Sequence, residues 1–542
     1  MSRPNPAILL GFLVAVWAIL GGVALAKGGF YLAKHEGDTL HLLEIVFRMV
    51  DGEWPHLDFM TPIGVMAFAP IVLFVELGAG VGNAVMLAQI LVGFVLLPVL
   101  FWVGLTRFRG GLAYLFGLVI LVLVLALVHG ESQRSVSISM HYNRWAWAFS
   151  YVAIVLAVLP PGKLRNETLD GAIIGLCVAM LMLTKITYFA AFAVPITVAL
   201  AMRGAWRSLG SAAIAGLLVA LIVTALAGVA FWPAYIGDLL SVANSEVRPQ
   251  PGARLRTIIG APAYLGGSLV LFVAVILLRQ AEERLAGLIV LLLAPGFIYV
   301  TYQNFGNDPQ WLMLVAILLL VPRPRPELTN GFGWNMRAAL GLGAMAAIAL
   351  AAPSFLNLAY SPFRHLGLKA SDYAPMLSAR PEHSDLRTRI NRSNRVDGLM
   401  ALDGPGTGLE DRAELAERDL TRTEWKGEVL PDCELQSGLI AWFEVIVADL
   451  DANGFTGGKR LLATDLFSGH WLFGDLGRLT NGAPWYYGGL PGFDSADYLL
   501  VPLCPTSRMV RKLILEAVAA EPVTLTELRR TPLYILYGIS RQ

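Results

Sequence analysis

The feature that most constrains this chain is a series of long apolar runs that stops near residue 355. Crossing the hydrocarbon core takes about 20 apolar residues in a helix. Lipid offers backbone N–H and C=O groups no partners, so such runs fold as spanning helices. Eleven are expected, near 7–26, 83–105, 111–129, 145–160, 171–184, 186–202, 208–232, 257–278, 288–302, 311–322 and 338–355. The chain is 56% hydrophobic and 15% charged, where a soluble protein is about 45–50% apolar and about 25% charged. The excess lies before residue 355. Residues 356–542 have the composition and size of an ordinary soluble domain.

A further apolar stretch, 62–77, decides the topology. Lys and Arg in short loops favour the cytoplasm. If 62–77 does not cross, the loops carrying Arg107/Arg109, Lys163/Arg165, Arg203/Arg207, Arg279/Arg284 and Arg323/Arg325/Arg337 all fall inside. If it crosses, all of them move outside. It is therefore expected to be an interfacial or re-entrant helix, with the N-terminus cytoplasmic and 356–542 on the far side. Ala24-Leu25-Ala26 before Lys27 mimics a signal-peptidase site. The run before it is long for a signal peptide, so the first helix is expected to stay.

Net charge is +1, which gives nucleic acid no bulk attraction. The three cysteines are Cys177, Cys433 and Cys504, and no Cys/His cluster has zinc spacing. Cys433 and Cys504 share the exported part, where a disulfide is expected; two buried free thiols are the alternative.

The chemistry concentrates in the first outer loop, within 27–82. It holds Glu36, Asp38, Glu44, Asp51, Glu53 and Asp58, with His35, His41 and His56. Residues 39–50 have helical spacing, with Leu40, Leu43, Phe47 and Val50 on one face. Asp38 stands at the start of that helix as an N-cap, and Gly52 with Pro55 ends it. The expectation is an amphipathic helix lying on the outer membrane face with acids at both ends.

This layout resembles the GT-C class of membrane glycosyltransferases. Those enzymes have an acidic pair just after the first span, an amphipathic helix, a turn of G-x-x-P-(Y/H)-x-D-F type and then a Pro-containing apolar helix. Here the acidic site is Glu36-Gly37-Asp38. The turn is Gly52-Glu53-Trp54-Pro55-His56-Leu57-Asp58-Phe59, and Thr61-Pro62-Ile63-Gly64 opens the apolar helix. The likeness is close over 27–77. Across the later spans it is one of span count and loop alternation. The family often has adjacent Asp-Glu, whereas a glycine separates the two acids here, which leaves Glu36 and Asp38 both open as the catalytic carboxylate.

The resemblance implies an inverting enzyme in an inner membrane. Its donor would be a sugar on a polyprenyl phosphate, and its acceptor an envelope glycan, lipid or protein. A carboxylate within hydrogen-bond reach can take the proton of a hydroxyl acceptor as the new bond forms. A cation must meet the departing phosphate. Arg134, Arg144, Lys185, Arg248, Arg254 and Arg256 are the candidates, since Arg offers phosphate paired donors and a Lys inside an apolar stretch is a functional candidate by default. Asp58 either contacts substrate or ties its own turn. Some relatives use a divalent metal and others none; Asp38 and Asp58 could offer it oxygens, but no spacing compels it.

The exported part reads as α/β. Strands are expected at 396–402, 460–463 and 498–503, helices at 439–450 and 509–520, and closing strands within 525–539. Trp471, Trp485, Tyr486 and Tyr487 are either a glycan-stacking surface or a packed loop. Two other functions compete with transfer: a flippase or transporter of a lipid-linked glycan, and a non-catalytic envelope scaffold. A transporter should concentrate ionisable groups near mid-membrane. The acids here gather in one outer loop, which favours the enzyme.

Overall fold

A computed structural model describes residues 3–247, 260–303, 308–400, 408 and 423–541. Among the described residues, seven helices are long and apolar enough to cross a membrane by length and composition. They are α1 (Pro6–Leu25), α4 (Val81–Arg107), α7 (Glu167–Thr184), α9 (Trp206–Ala227), α11 (Pro262–Gln280), α12 (Arg284–Gln303) and α14 (Met336–Leu366). Between them lie α5 (Leu112–Leu125), α6 (His141–Val158), α8 (Ile186–Met202), α10 (Phe231–Ala243) and α13 (Leu312–Leu320). Side chains such as Leu217, Leu221 and Leu226 on α9 point outward, as lipid-facing residues of a spanning helix do. α14 extends well past the boundary expected at 355; its 31 residues make a rod of about 46 Å at 1.5 Å each.

The 171–202 stretch is two helices, α7 and α8, broken at Lys185, whose backbone is extended. The 62–77 stretch forms a single 3-10 turn, Val65–Ala67, and then α3 (Ala69–Glu76). Eight residues span only about 12 Å, too little to cross. α3 packs on α2 and α4 instead.

α2 (Glu36–Val50) is the helix expected in the first outer loop, starting three residues earlier than its hydrophobic spacing indicates. One expectation fails here. The polar face of α2 is not open to water, because every residue from Thr39 to Arg48 is buried. The chain beyond α14 packs over it. Phe443, Trp471 and Leu472 from that part join the same apolar core as Leu43, Phe47 and the membrane-type helices.

Backbone pairing and ion pairs both fasten this layer. A small sheet has the order β1-β3-β2, where β1 (Phe30–Leu32) follows α1 directly. It runs parallel to β3 (Leu386–Arg389), which pairs antiparallel with β2 (Tyr373–Pro375). The first loop is thus stitched by backbone to the C-terminal part. Electrostatic contacts add to this. Buried Arg48 donates to Glu53 at 2.8 Å and to the Leu479 carbonyl at 3.1 Å. Arg478 reaches Asp51 at 2.8 Å.

The C-terminal part has a four-stranded sheet of order β10-β11-β9-β8. β8 (Leu461–Ala463) and β9 (Tyr498–Pro502) are parallel; β9, β11 (Tyr534–Arg541) and β10 (Val523–Arg530) are antiparallel. Helices α15 (Leu439–Ala452) and α16 (Arg508–Ala519) accompany it. β4 (Asp397–Met400) pairs with β7 (Cys433–Ser437), and a short hairpin joins β5 (Glu424–Trp425) to β6 (Glu428–Val429). Cys433 and Cys504 form a disulfide, their Cα atoms 4.7 Å apart. Gly398 lies against both sulfurs, so a Cβ there would stand 3.0 Å from one and 3.1 Å from the other.

Candidate functional site

Asp38 is not the helix cap. The N-cap of α2 is His35, and Asp38 sits in the first turn. A capping Asp would accept from backbone amides; this carboxylate instead accepts from the Ser139 hydroxyl, in the loop between α5 and α6. Ser137 continues the chain of bonds. Its Oγ accepts from the Ser139 amide at 3.1 Å and lies 2.9 Å from His35 Nδ1. Burial pushes the His35 imidazole below its usual pKa against the opposing pull of Asp38.

Two residues flanking this arrangement have positive φ without being glycine: His35 at 70° before α2, and Met140 at 55° before α6. The left-handed region is unfavourable for such side chains and persists only where surroundings enforce it, often at functional sites. Here the turn at Met140 lets Ser139 face Asp38 while His141 starts α6.

Asp38 lines two cavities. One, of about 360 Å³, lies between α2, the Ser139–Tyr142 turn and the C-terminal layer. His41 and Leu42, three and four residues on from Asp38, share its helix face and line it too, as do Ile63, Phe68 and Trp485. The other, of about 320 Å³, adds Lys34, Glu36, Arg392 and Phe467. The half-buried Trp485 ring borders both cavities. It stands 5.5 Å from the His41 ring and edge-on to Phe467 at 4.9 Å. Trp471, Tyr486 and Tyr487 are buried packing residues, so the aromatic segment offers one ring to the cavities, not a stacking surface.

Glu36 is committed elsewhere. Arg392 of the C-terminal part donates to both its oxygens, at 2.7 and 2.9 Å. The glycine between the acids has a packing reason: a Cβ on Gly37 would lie 2.6 Å from the Phe467 ring. Gly37 lets the C-terminal layer close over α2.

The remaining expected site residues separate. Asp58 is exposed; it accepts from the Trp54 amide at 2.6 Å and so ties its own turn. It does not line Asp38's cavities. The same turn is anchored by Asp238 of α10, which sits 2.8 Å from His56 Nδ1 and accepts from the Thr61 amide at 3.0 Å. Arg144 is buried at 1% exposure and reaches the carbonyls of Ala126, Val128 and His129. It ties down carbonyls of the chain that leaves α5 and is not exposed to a lipid phosphate. Arg134 is exposed and outside both cavities. Lys185 is nearer, its ammonium 5.4 Å from the centre of the Tyr142 ring that lines the first cavity. Arg248, Arg254 and Arg256 lie outside the described residues. Val247, the last described residue before them, lines the first cavity.

Asp465 orders the cavity wall. Its carboxylate accepts from the Leu466, Thr506 and Ser507 amides and the Thr506 hydroxyl, at 2.6–3.2 Å. Leu466, Thr506 and Ser507 in turn line the cavities. Burial, and the nearby charge of Glu131, push the Asp308 carboxyl up to about 6. Among the described residues, no group of three or more His, Cys, Asp or Glu is placed to share a metal ion.

Ser139, Arg392 and Asp238 carry no sequence signal: each is a common residue type, meaningful only through a partner 101 to 356 positions away. Comparison with protein-family models found no match, and neither curated proteins nor solved structures gave one.

Proposed function

We propose that this chain is a membrane glycosyltransferase of GT-C type, moving a sugar from a polyprenyl-phosphate donor to an envelope acceptor outside the cytoplasm. The observation that carries this reading is Asp38. Its carboxylate is free of helix capping, is held by a neutral hydroxyl from another loop, and lines a cavity large enough for a sugar ring. A carboxylate spent on structure would be paired with a cation or with backbone amides, as Glu36 and Asp465 are.

In the proposed reaction the acceptor hydroxyl donates to Asp38. Its oxygen attacks the anomeric carbon, and the bond from that carbon to the phosphate oxygen breaks. The electron pair leaves with the polyprenyl phosphate, and the proton ends on Asp38. Attack opposite the leaving group inverts the anomeric centre. Lys185, beside the Tyr142 ring that lines the first cavity, is the cation proposed to meet the phosphate. Trp485 offers a face for a sugar ring. The topology proposed with this chemistry has eleven crossings, the N-terminus in the cytoplasm, and α2 with the C-terminal part on the opposite side.

The test is incubation of purified protein with labelled polyprenyl-phosphate sugars. The wild type should consume one donor and Asp38→Asn should not, with both proteins accumulating equally. Transfer that survives in both Asp38→Asn and Glu36→Gln removes the enzyme reading.

A further inference from the structure

At the end of the helix bundle opposite Asp38 lies a third cavity, of about 410 Å³. Five basic side chains line it: Arg3 before α1, Arg107 at the end of α4, Arg109 after it, Lys163 between α6 and α7, and Arg323 after α13. Among the described residues, no carboxylate lines it. The bias of basic residues toward cytoplasmic loops accounts for cations at this end, but it does not account for their convergence on one hollow. Nor does it account for the state of Arg107. That side chain is 1% exposed, and one nitrogen, Nη2, pairs with Asp170 at 2.5 Å. The Asp170 carboxylate also accepts from the Trp102 indole at 2.7 Å. The other two guanidinium nitrogens, Nε and Nη1, are buried with no hydrogen-bond partner among the described residues. Leaving buried charged donors unmade is costly, so their natural complement is an anion inside the cavity.

We infer that this cavity binds a phosphate group, with Arg107 held in place by Asp170 and presenting its free donors, and Arg109, Lys163, Arg3 and Arg323 supplying charge around it. Arg donors match phosphate oxygens in pairs. Basic pockets between helix ends at the membrane surface are suited to anionic headgroups. A lipid headgroup and a soluble phosphate share this chemistry, and the two are told apart experimentally. The inference does not depend on the proposed reaction at Asp38.

The experiment uses the full chain in zwitterionic phosphatidylcholine nanodiscs. Thermal stability is followed while short-chain phosphatidic acid or inorganic pyrophosphate is added. The wild type should show saturable stabilisation by at least one probe. Removing two exposed cavity cations (Arg109→Gln with Lys163→Gln) should raise the half-saturating concentration about tenfold or more. Removing two exposed basic residues that do not line the cavity (Arg165→Gln with Arg207→Gln) should leave it within about twofold. Saturation by the lipid alone assigns a headgroup; equal saturation by pyrophosphate assigns a soluble phosphate. No saturable stabilisation of the wild type, or equal weakening in the two double variants, overturns the inference.

Discussion

The Ser139 hydroxyl donates to the carboxylate of Asp38, which joins the α5–α6 loop to the start of α2 across 101 positions of sequence. If Asp38 is the proton acceptor, this bond fixes its rotamer, so the two residues have separable effects. Asp38→Asn should lower transfer by about 100-fold or more, the usual share of a general base. Ser139→Ala should lower it by about tenfold, roughly the value of one hydrogen bond to a charged group. Initial rates with the labelled donor give both values. A Ser139→Ala loss as large as that of Asp38→Asn would mean the turn collapses, and circular dichroism would show it.

Glu36 and Arg392 give a different expectation. Their paired hydrogen bonds hold the C-terminal layer against the start of α2, and the Glu36 carboxylate is buried. Glu36→Ala or Arg392→Ala should each cost on the order of 1–3 kcal/mol of stability. The exchange of Glu36→Arg with Arg392→Glu should recover part of that loss. A thermal-melt double-mutant cycle measures the coupling. Full stability with abolished transfer in Glu36→Gln would instead make Glu36 the proton acceptor.

The sequence pattern located the layers but not the way they close. Apolar runs mark α1, α4, α9 and α14 because lipid imposes one length and one chemistry on a spanning helix. The 62–77 stretch forms a helix of only eight residues, α3, where its apolar run alone would have allowed a longer one. The polar face of α2 misleads: Glu44 and Arg48 look solvent-facing by periodicity, yet they pair at 3.3 Å under the C-terminal layer. Burial there pushes the Glu44 carboxyl up despite the pull of Arg48. Periodicity reports one buried face and cannot see a second layer arriving from 400 residues later. Arg144 misleads for a related reason. Its charge fits a phosphate, but its partners are backbone carbonyls of the segment that follows α5, which no side-chain motif records. At Asp38 the cap position fell three residues earlier, at His35, so the carboxylate read from sequence both as a cap and as a catalytic candidate faces a cavity.

Acid should destabilise the C-terminal layer through His470. Its ring is buried against Phe443 at 4.4 Å, and neither nitrogen has a hydrogen-bond partner among the described residues. Burial lowers its pKa from 6.5 to about 3. The unfolded chain therefore takes up this proton below about pH 6.5, while the native state refuses it until about pH 3. Stability is lost as pH falls through that window, by about 2 kcal/mol at pH 5. His35 is shifted in the same direction and adds to the slope. His470→Phe should shrink the fall in melting temperature between pH 7.5 and pH 5; an unchanged fall would locate the acid sensitivity elsewhere.

The disulfide should matter for the cavity as well as for stability. Cys433 and Cys504 are 71 positions apart, and cross-linking a loop of that length removes about 4 kcal/mol of unfolded-chain entropy in the simplest model. The bond also lies beside the wall of Asp38's second cavity. Leu435, two residues after Cys433, donates its amide to the Pro505 carbonyl at 2.8 Å. Leu435 and Thr506 both line that cavity, and Thr506 is the residue that Asp465 holds. Cys433→Ala with Cys504→Ala should therefore lower the melting temperature and raise the KM for the acceptor or donor by a few-fold. The kcat should change far less than in Asp38→Asn, because the proton acceptor stands on α2 and keeps its Ser139 contact. A lowered melting temperature with an unaltered KM would confine the disulfide to holding the fold. A kcat loss matching that of Asp38→Asn would show that the bond positions the reacting groups themselves.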